Sequence, residues 1–111
     1  MVTREKLIET VKAAIIDYAK DEPSYGKVKI EKIFDDHLGH YELMYAGWDA
    51  GMRLHGSVVH VDIMNDKAWI EYDGTQYGIA RELIDRGIPR EQIVLAFMSE
   101  EKRRYSECAV N

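Results

Sequence analysis

The sequence predicts an α+β fold: an antiparallel meander of four to five strands, with an N-terminal helix and a helix from the C-terminal half packed on it. Three observations predict it. Apolar residues recur at helical spacing over residues 4–20. Four strand-like stretches follow between residues 27 and 72, joined by connections short enough to demand antiparallel pairing. Helical periodicity then returns over residues 76–86.

The first helix runs from Arg4 to about Lys20, with Thr3 as N-cap and Lys6 where a full capping box would place Glu. Leu7, Val11, Ala14, Ile15 and Tyr18 share one face of it. Pro23 stops it, because the residue before a proline is pushed out of the α region, and Pro23-Ser24-Tyr25-Gly26 has turn chemistry.

The first strand, Lys27 to Phe34, sets Val28 and Ile30 against Lys27, Lys29 and Glu31; the apolar pair Ile33-Phe34 suggests a bulge or strand end. Tyr41 to Trp48 follows the turn at residues 36–39, and Arg53 to Met64 is the longest strand. Asn65-Asp66 reads as a two-residue type I′ turn into Lys67 to Tyr72. Beyond the break at Asp73-Gly74, Thr75 is placed to cap a helix over Gln76–Arg86, with Ile79, Ala80, Leu83 and Ile84 as its buried stripe and Gly87 at C′. Pro89-Arg90-Glu91 resembles another first helical turn. Ile93 to Phe97 fits a fifth strand or a buried helical turn, and the polar tail from Ser99 is expected to lie over the surface.

The 111 residues, 46% apolar, make one domain, residues 1–111, with a core large enough to fold without staples. One cysteine, Cys108, excludes an internal disulfide and a cysteine-based metal site. Residues 1–12 mix charges with apolar positions, unlike a secretory signal, and no apolar run approaches the roughly 20 residues of a membrane span. A cytoplasmic protein with no membrane association is expected. The net charge of −5, with Lys102-Arg103-Arg104 as the one tight basic cluster, disfavours direct nucleic-acid binding by the chain alone.

The turn at Asn65-Asp66 implies a register. If Met64 pairs with Lys67, then His60 faces Glu71 and Asp62 faces Trp69. Val59, Val61, Ile63, Ala68, Ile70 and Tyr72 form the core face, while Val58, His60, Asp62, Trp69, Glu71 and Asp73 lie opposite. Carrying the register across Ala50-Gly51 adds Leu54, Tyr41, Leu43 and Tyr45 to that second face. Aromatic rings with a few charges on a sheet face left open suit a protein–protein interface, so Tyr41, Leu43, Tyr45, Leu54, Val58 and Trp69 are the candidate partner-binding residues. The competing reading has a helix or the tail covering this face.

Chemistry is sparser. His60, Asp62 and Glu71 are the candidates for a catalytic or metal-binding cluster, against the plainer reading of a cross-strand ion pair. His37, His40 and His55 read as surface or edge residues. No phosphate-binding loop and no Gly-x-Ser-x-Gly elbow is present, and no cofactor is expected.

Several short stretches together carry a family likeness. They are Pro23-Ser24-Tyr25-Gly26, Ala46-Gly47-Trp48, Val59-His60-Val61-Asp62-Ile63 and Trp69-Ile70. Asp73-Gly74-Thr75, Gly78-Ile79-Ala80 with Glu82-Leu83, Gly87-Ile88-Pro89, residues 93–97, and Lys102-Arg103 with Tyr105 and Glu107 continue the series. In their order and spacing the chain resembles the XisI family, the controlling factors for excision of the fdxN element. Asn65-Asp66 and Met98-Ser99 depart from the family's usual Asn-Gly and proline-containing turns. The resemblance implies a role beside XisH and a site-specific recombinase, in removing that element from cyanobacterial DNA during heterocyst differentiation. It supplies no catalytic residue. The reading that follows is a non-enzymatic accessory factor that binds an XisH-like partner, a second copy of itself, or both. The alternative is a metal-assisted enzyme or nuclease subunit using His60, Asp62 and Glu71.

Overall fold

The computed structural model describes residues 1–21 and 27–111; the helix stop and turn expected at Pro23 to Gly26 lie outside them. In chain order come α1 (Arg4–Asp21), β1 (Lys27–Asp35), β2 (His40–Asp49), β3 (Met52–Met64) and β4 (Lys67–Asp73). Helix α2 (Ile79–Asp85), a 3-10 turn at Arg90–Gln92, β5 (Ile93–Val94) and the single-turn α3 (Glu100–Arg103) complete it. The sheet order is β1-β2-β3-β4-β5; the first four strands form the antiparallel meander, and β5 joins β4 in parallel. A parallel neighbour needs a crossover, and α2 supplies it.

Helix α1 starts as its cap predicts: Thr3 Oγ1 accepts from the Lys6 amide at 3.1 Å. Packing matters more. Leu7, Val11 and Ile15 are completely buried, each stabilising the fold by about 1.5–3 kcal/mol, against about 1 kcal/mol for a cap. They meet Tyr41, Leu43, Val59, Val61, Ile63, Ala68 and Ile70 from the sheet and Ile79, Leu83 and Ile88 from the α2 region in one core.

Both two-residue hairpin turns use left-handed backbone. Asn65 and Asp66 have φ of 55° and 58°, the type I′ geometry expected, and Ala50 and Gly51 have 48° and 79°. Gly47 answers a different demand: a Cβ there would sit 2.0 Å from the Lys27 carbonyl oxygen, so β1 and β2 can approach this closely only over glycine.

Two one-residue bulges override the uniform register expected from the turns. From Asp49↔Met52 to Met44↔Ser57 the β2–β3 pairing follows the turn, but Leu43 then faces Val59 and Tyr41 faces Val61, leaving Val58 without an opposite residue. The second bulge lies between β3 and β4, where Val61 faces Ile70 but His60 faces Tyr72, so Glu71 is the extra residue. Of the two readings of Ile33-Phe34 the strand end holds: β1 ends at Asp35 and pairs with β2 in one register throughout, without a bulge.

Each slip exchanges the two faces. Tyr41 and Leu43, expected on the open face, are fully buried under α1. Tyr72, expected in the core, is 49% exposed. Asp73 moves to the helix side, where its Oδ2 accepts from the Ile79 amide at 2.8 Å and its Oδ1 from the Thr75 hydroxyl at 2.6 Å. Asp73 therefore supports the first residue of α2, while the Thr75 hydroxyl accepts from the Gly78 amide at 3.1 Å, just before the helix. That helix begins three residues later than predicted because Gly78, at φ 98°, is not helical. It ends as predicted, in a Schellman motif: the Ile88 amide donates to Leu83 O and the Gly87 amide to Ile84 O, both at 3.0 Å.

Side chains distant in sequence lock the layers. Gln92 is buried; its Oε1 accepts from the Val2 amide at 2.6 Å and its Nε2 donates to the carbonyls of Val2 and Asp66, each at 2.9 Å. Arg86 joins the helices, donating to Asp17 Oδ2 and Glu82 Oε1 at 2.8 Å each. Its guanidinium holds the Asp17 carboxyl below the usual carboxylate range.

The chain after β5 builds out the sheet edge. Ala109 forms a parallel bridge with Val94, its amide donating to Ile93 O at 2.9 Å. Arg103 braces this segment through the carbonyls of Met98 and Val110. Val94 alternates with core-facing Ile93, yet it is completely buried outside the main core cluster. The C-terminal segment therefore shields the reverse face at this edge.

Candidate functional site

The reverse of the sheet over β1–β4 is the candidate site, because α1 and α2 pack together on the other side. Alternation and the two bulges place Ile33, Glu42, Met44, Trp48, His40, His60, Asp62, Trp69 and Tyr72 on it. Ile33, Trp48 and Tyr72 are about half exposed. Trp69 is half-buried, and its indole Nε1 donates to the Met64 carbonyl at 3.0 Å. Arg53 lies over the Trp48 ring, 5.6 Å from its centroid, a cation–π contact at the far end of the β2–β3 hairpin.

The residues proposed from sequence as a docking set separate on folding. Trp69 is on this face. Tyr41 and Leu43 are core residues, since the Val58 bulge turns them beneath α1. Tyr45 and Leu54 share the side of Tyr41 by alternation and are half-buried; the Tyr45 hydroxyl lies across Gly56, where a Cβ would meet it at 2.7 Å. Val58 is the bulged residue, half-buried and packed against the core.

The polar centre of the face also differs from the expected cluster. Glu71 does not face His60, because the second bulge puts Tyr72 there. His40 takes the place expected for Glu71. With the register moved by Val58, His40 pairs with Asp62 and Glu42 with His60. The Nδ1 of His40 lies 2.6 Å and the Nε2 of His60 2.9 Å from the same oxygen, Oδ1 of Asp62. The two imidazoles meet edge-on, their centroids 6.4 Å apart. Asp62 is the most enclosed of the three, its side chain 20% exposed against 33% for His60 and 53% for His40.

The hydrogen bond to Asp62, and then the charge of that carboxylate, hold the His40 proton above the ordinary imidazole range; Asp35 and Glu71 add a weaker attraction. Glu71 thus contributes its field to the cluster without joining it. The sequence carried one sign of this arrangement: the consecutive apolar residues Val58-Val59 break the alternation of β3, as a bulge requires. His37 and His55 are exposed; His37 lies in the β1–β2 turn and His55 pairs with Ala46.

These features define a two-layer α+β protein: a meander closed at one edge by a parallel strand, helices on one side, and a mixed polar and aromatic sheet face on the other. The family model described as XisI protein matches residues 1–110. The chain belongs to the XisI family. It is similar to the crystal structure of a XisI-like protein from Anabaena variabilis ATCC 29413, with 35% identity over 98% of this chain and 100% of that one and a TM-score of 0.93. It is also similar to the crystal structure of the fdxN element excision controlling factor XisI from the same strain, with 29% identity over 97% of this chain and 98% of that one and a TM-score of 0.86. No curated protein matches it. Among the described residues, no helix is long and apolar enough to cross a membrane.

Proposed function

We propose that this protein is a controlling factor for excision of a DNA element of the fdxN type, and that it acts by docking its open sheet face on an XisH-like protein rather than by catalysing a reaction. Membership of the XisI family and the description of a relative as an fdxN element excision controlling factor support the first part. One observation carries the second. Trp48, Trp69, Tyr72 and Ile33 lie on a sheet face that the molecule's own helices leave free, with charged groups among them. Large rings that pack rigidly and exclude water dominate interface energetics. The net charge of −5 favours a protein partner over a phosphate backbone. The catalytic alternative loses one of its three residues, since Glu71 does not face His60, while His60 and Asp62 stay in contact.

The test is co-expression with an XisH-like protein, with affinity measured for the wild type and for Trp48→Ala, Trp69→Ala and Tyr72→Ala. Docking through this face predicts a complex and a loss of about 30-fold in affinity for at least one variant, which is a hot-spot contribution of about 2 kcal/mol. Failure to form any complex, or full affinity in all three folded variants, overturns the docking reading.

A further inference from the structure

We infer that His40, His60 and Asp62 form a binding site for a divalent transition-metal ion of the Zn²⁺ class, set into the open face of the sheet. Two imidazole nitrogens from adjacent strands converge on one carboxylate oxygen, at 2.6 and 2.9 Å. The potential ligand atoms of all three side chains lie within 4.8 Å of one another. Metal bonds to His and Asp of about 2.0–2.2 Å bring ligand atoms to roughly 2.9–3.4 Å apart, so a small outward rotation of the two imidazoles, His40 exposed and His60 half-buried, makes room for an ion.

The scaffold favours a preformed site. Each ligand stands on a strand, and the backbone pairing of His40 with Asp62 fixes their separation. His60 is two residues from Asp62 and so projects from the same face. The site is also chemically selective. Two imidazoles and one carboxylate suit Zn²⁺, Co²⁺ or Ni²⁺, whereas Mg²⁺ and Ca²⁺ prefer all-oxygen surroundings. Asp35 and Glu71 lie near enough to act on His40, adding negative field. Both side-chain partners of Asp62 among the described residues are imidazoles, and neither is a fixed cation that would already neutralise the carboxylate. Three protein ligands leave at least one coordination position open towards solvent. This inference stands apart from the docking proposal.

The experiment is isothermal titration of the tag-free full chain with Zn²⁺, paralleled by Co²⁺ and its visible d–d absorption. One saturable site per chain with micromolar affinity is expected, and the Co²⁺ spectrum should show nitrogen coordination. His40→Ala, His60→Ala and Asp62→Asn should each weaken binding at least about tenfold, with circular dichroism reporting that the fold persists. Glu71→Ala, His37→Ala and His55→Ala should leave affinity within about twofold; excess Mg²⁺ should not displace the ion. Absence of saturable binding overturns the inference. So does binding that persists in both His40→Ala and His60→Ala, or that follows His37, His55 or Glu71 instead. If His40→Ala does not fold, Asp62→Asn with the Co²⁺ spectrum decides the matter.

Discussion

Tyr41 donates its phenolic hydrogen to Oδ1 of Asp36 at 2.9 Å while its ring is completely buried, so the core and the β1–β2 turn are joined by one side chain. Lys12 of α1 reaches the same carboxylate, 3.1 Å from Oδ2, and lies over the Phe34 ring that packs on Tyr41. Burial and the Asp36 bond push the Tyr41 phenol well above its ordinary range, so it stays protonated and donating. Tyr41→Ala should therefore cost about 3–5 kcal/mol in urea unfolding, as expected for emptying a buried aromatic site. Tyr41→Phe should cost far less. Equal losses in the two variants would mean that the hydroxyl, and not the packed ring, holds this corner.

Tyr41 faces Val61 beyond the Val58 bulge. Deleting Val58 removes the extra residue of β3 and leaves one uninterrupted register from the turn, in which Leu43 still faces Val59 and Tyr41 still faces Val61. The deletion should therefore keep cooperative unfolding and lose only the packing of the half-buried Val58, and a loss of cooperativity would show that the bulge itself is needed by the sheet. Val58→Ala keeps the residue count and should leave the register intact. Near-ultraviolet circular dichroism and thermal melts of both variants make the comparison.

Stability should fall on the acid side. Asp17 is held below the usual carboxylate range chiefly by its bond to Arg86, and Asp36 chiefly by its bonds to Tyr41 and Lys12. A group depressed in the folded state stabilises it above its unfolded value and loses that contribution as pH falls through its folded value. The Tm should therefore drop as pH descends from about 4 towards and below those depressed values. Arg86→Ala should flatten this limb and lower the Tm at neutral pH. An unchanged slope in Arg86→Ala would show that the Asp17 contact contributes nothing in solution.

Gln92 is a buried polar residue that ties Val2 to the β3–β4 turn at Asp66. Replacing it with Leu removes the acceptor for the Val2 amide and the donor to the carbonyls of Val2 and Asp66. A loss of about 1–3 kcal/mol is expected from leaving such groups unpaired, with faster hydrogen exchange at Val2. Unchanged exchange there would assign the N-terminal anchoring to apolar packing alone.

Gly47 should tolerate no side chain. The backbone of β1 lies so close that a Cβ would fall 2.0 Å from Lys27 O and 2.6 Å from Val28 Cα. Gly47→Ala should detach the beginning of β1, seen as lost amide protection over residues 27–30, while the core under α1 remains protected. Unchanged protection in β1 would refute the close-approach argument.

The amino-acid sequence by itself determined the first helix, the four-stranded meander and the second helix, their order, the type I′ turn at Asn65-Asp66, the Thr3 cap, the Gly87 helix end and the family, because each of these is written in spacing or turn chemistry over a few neighbouring residues. It did not determine which residues share a face. One extra residue at Val58 and another at Glu71 exchange inside and outside for Tyr41, Leu43, Tyr72 and Asp73. Those slips are chosen by the packed core, where burying Tyr41 and Leu43 beneath α1 outweighs an uninterrupted ladder. His40 reaches Asp62 for the same reason, 22 residues away along the chain and directly opposite on the neighbouring strand.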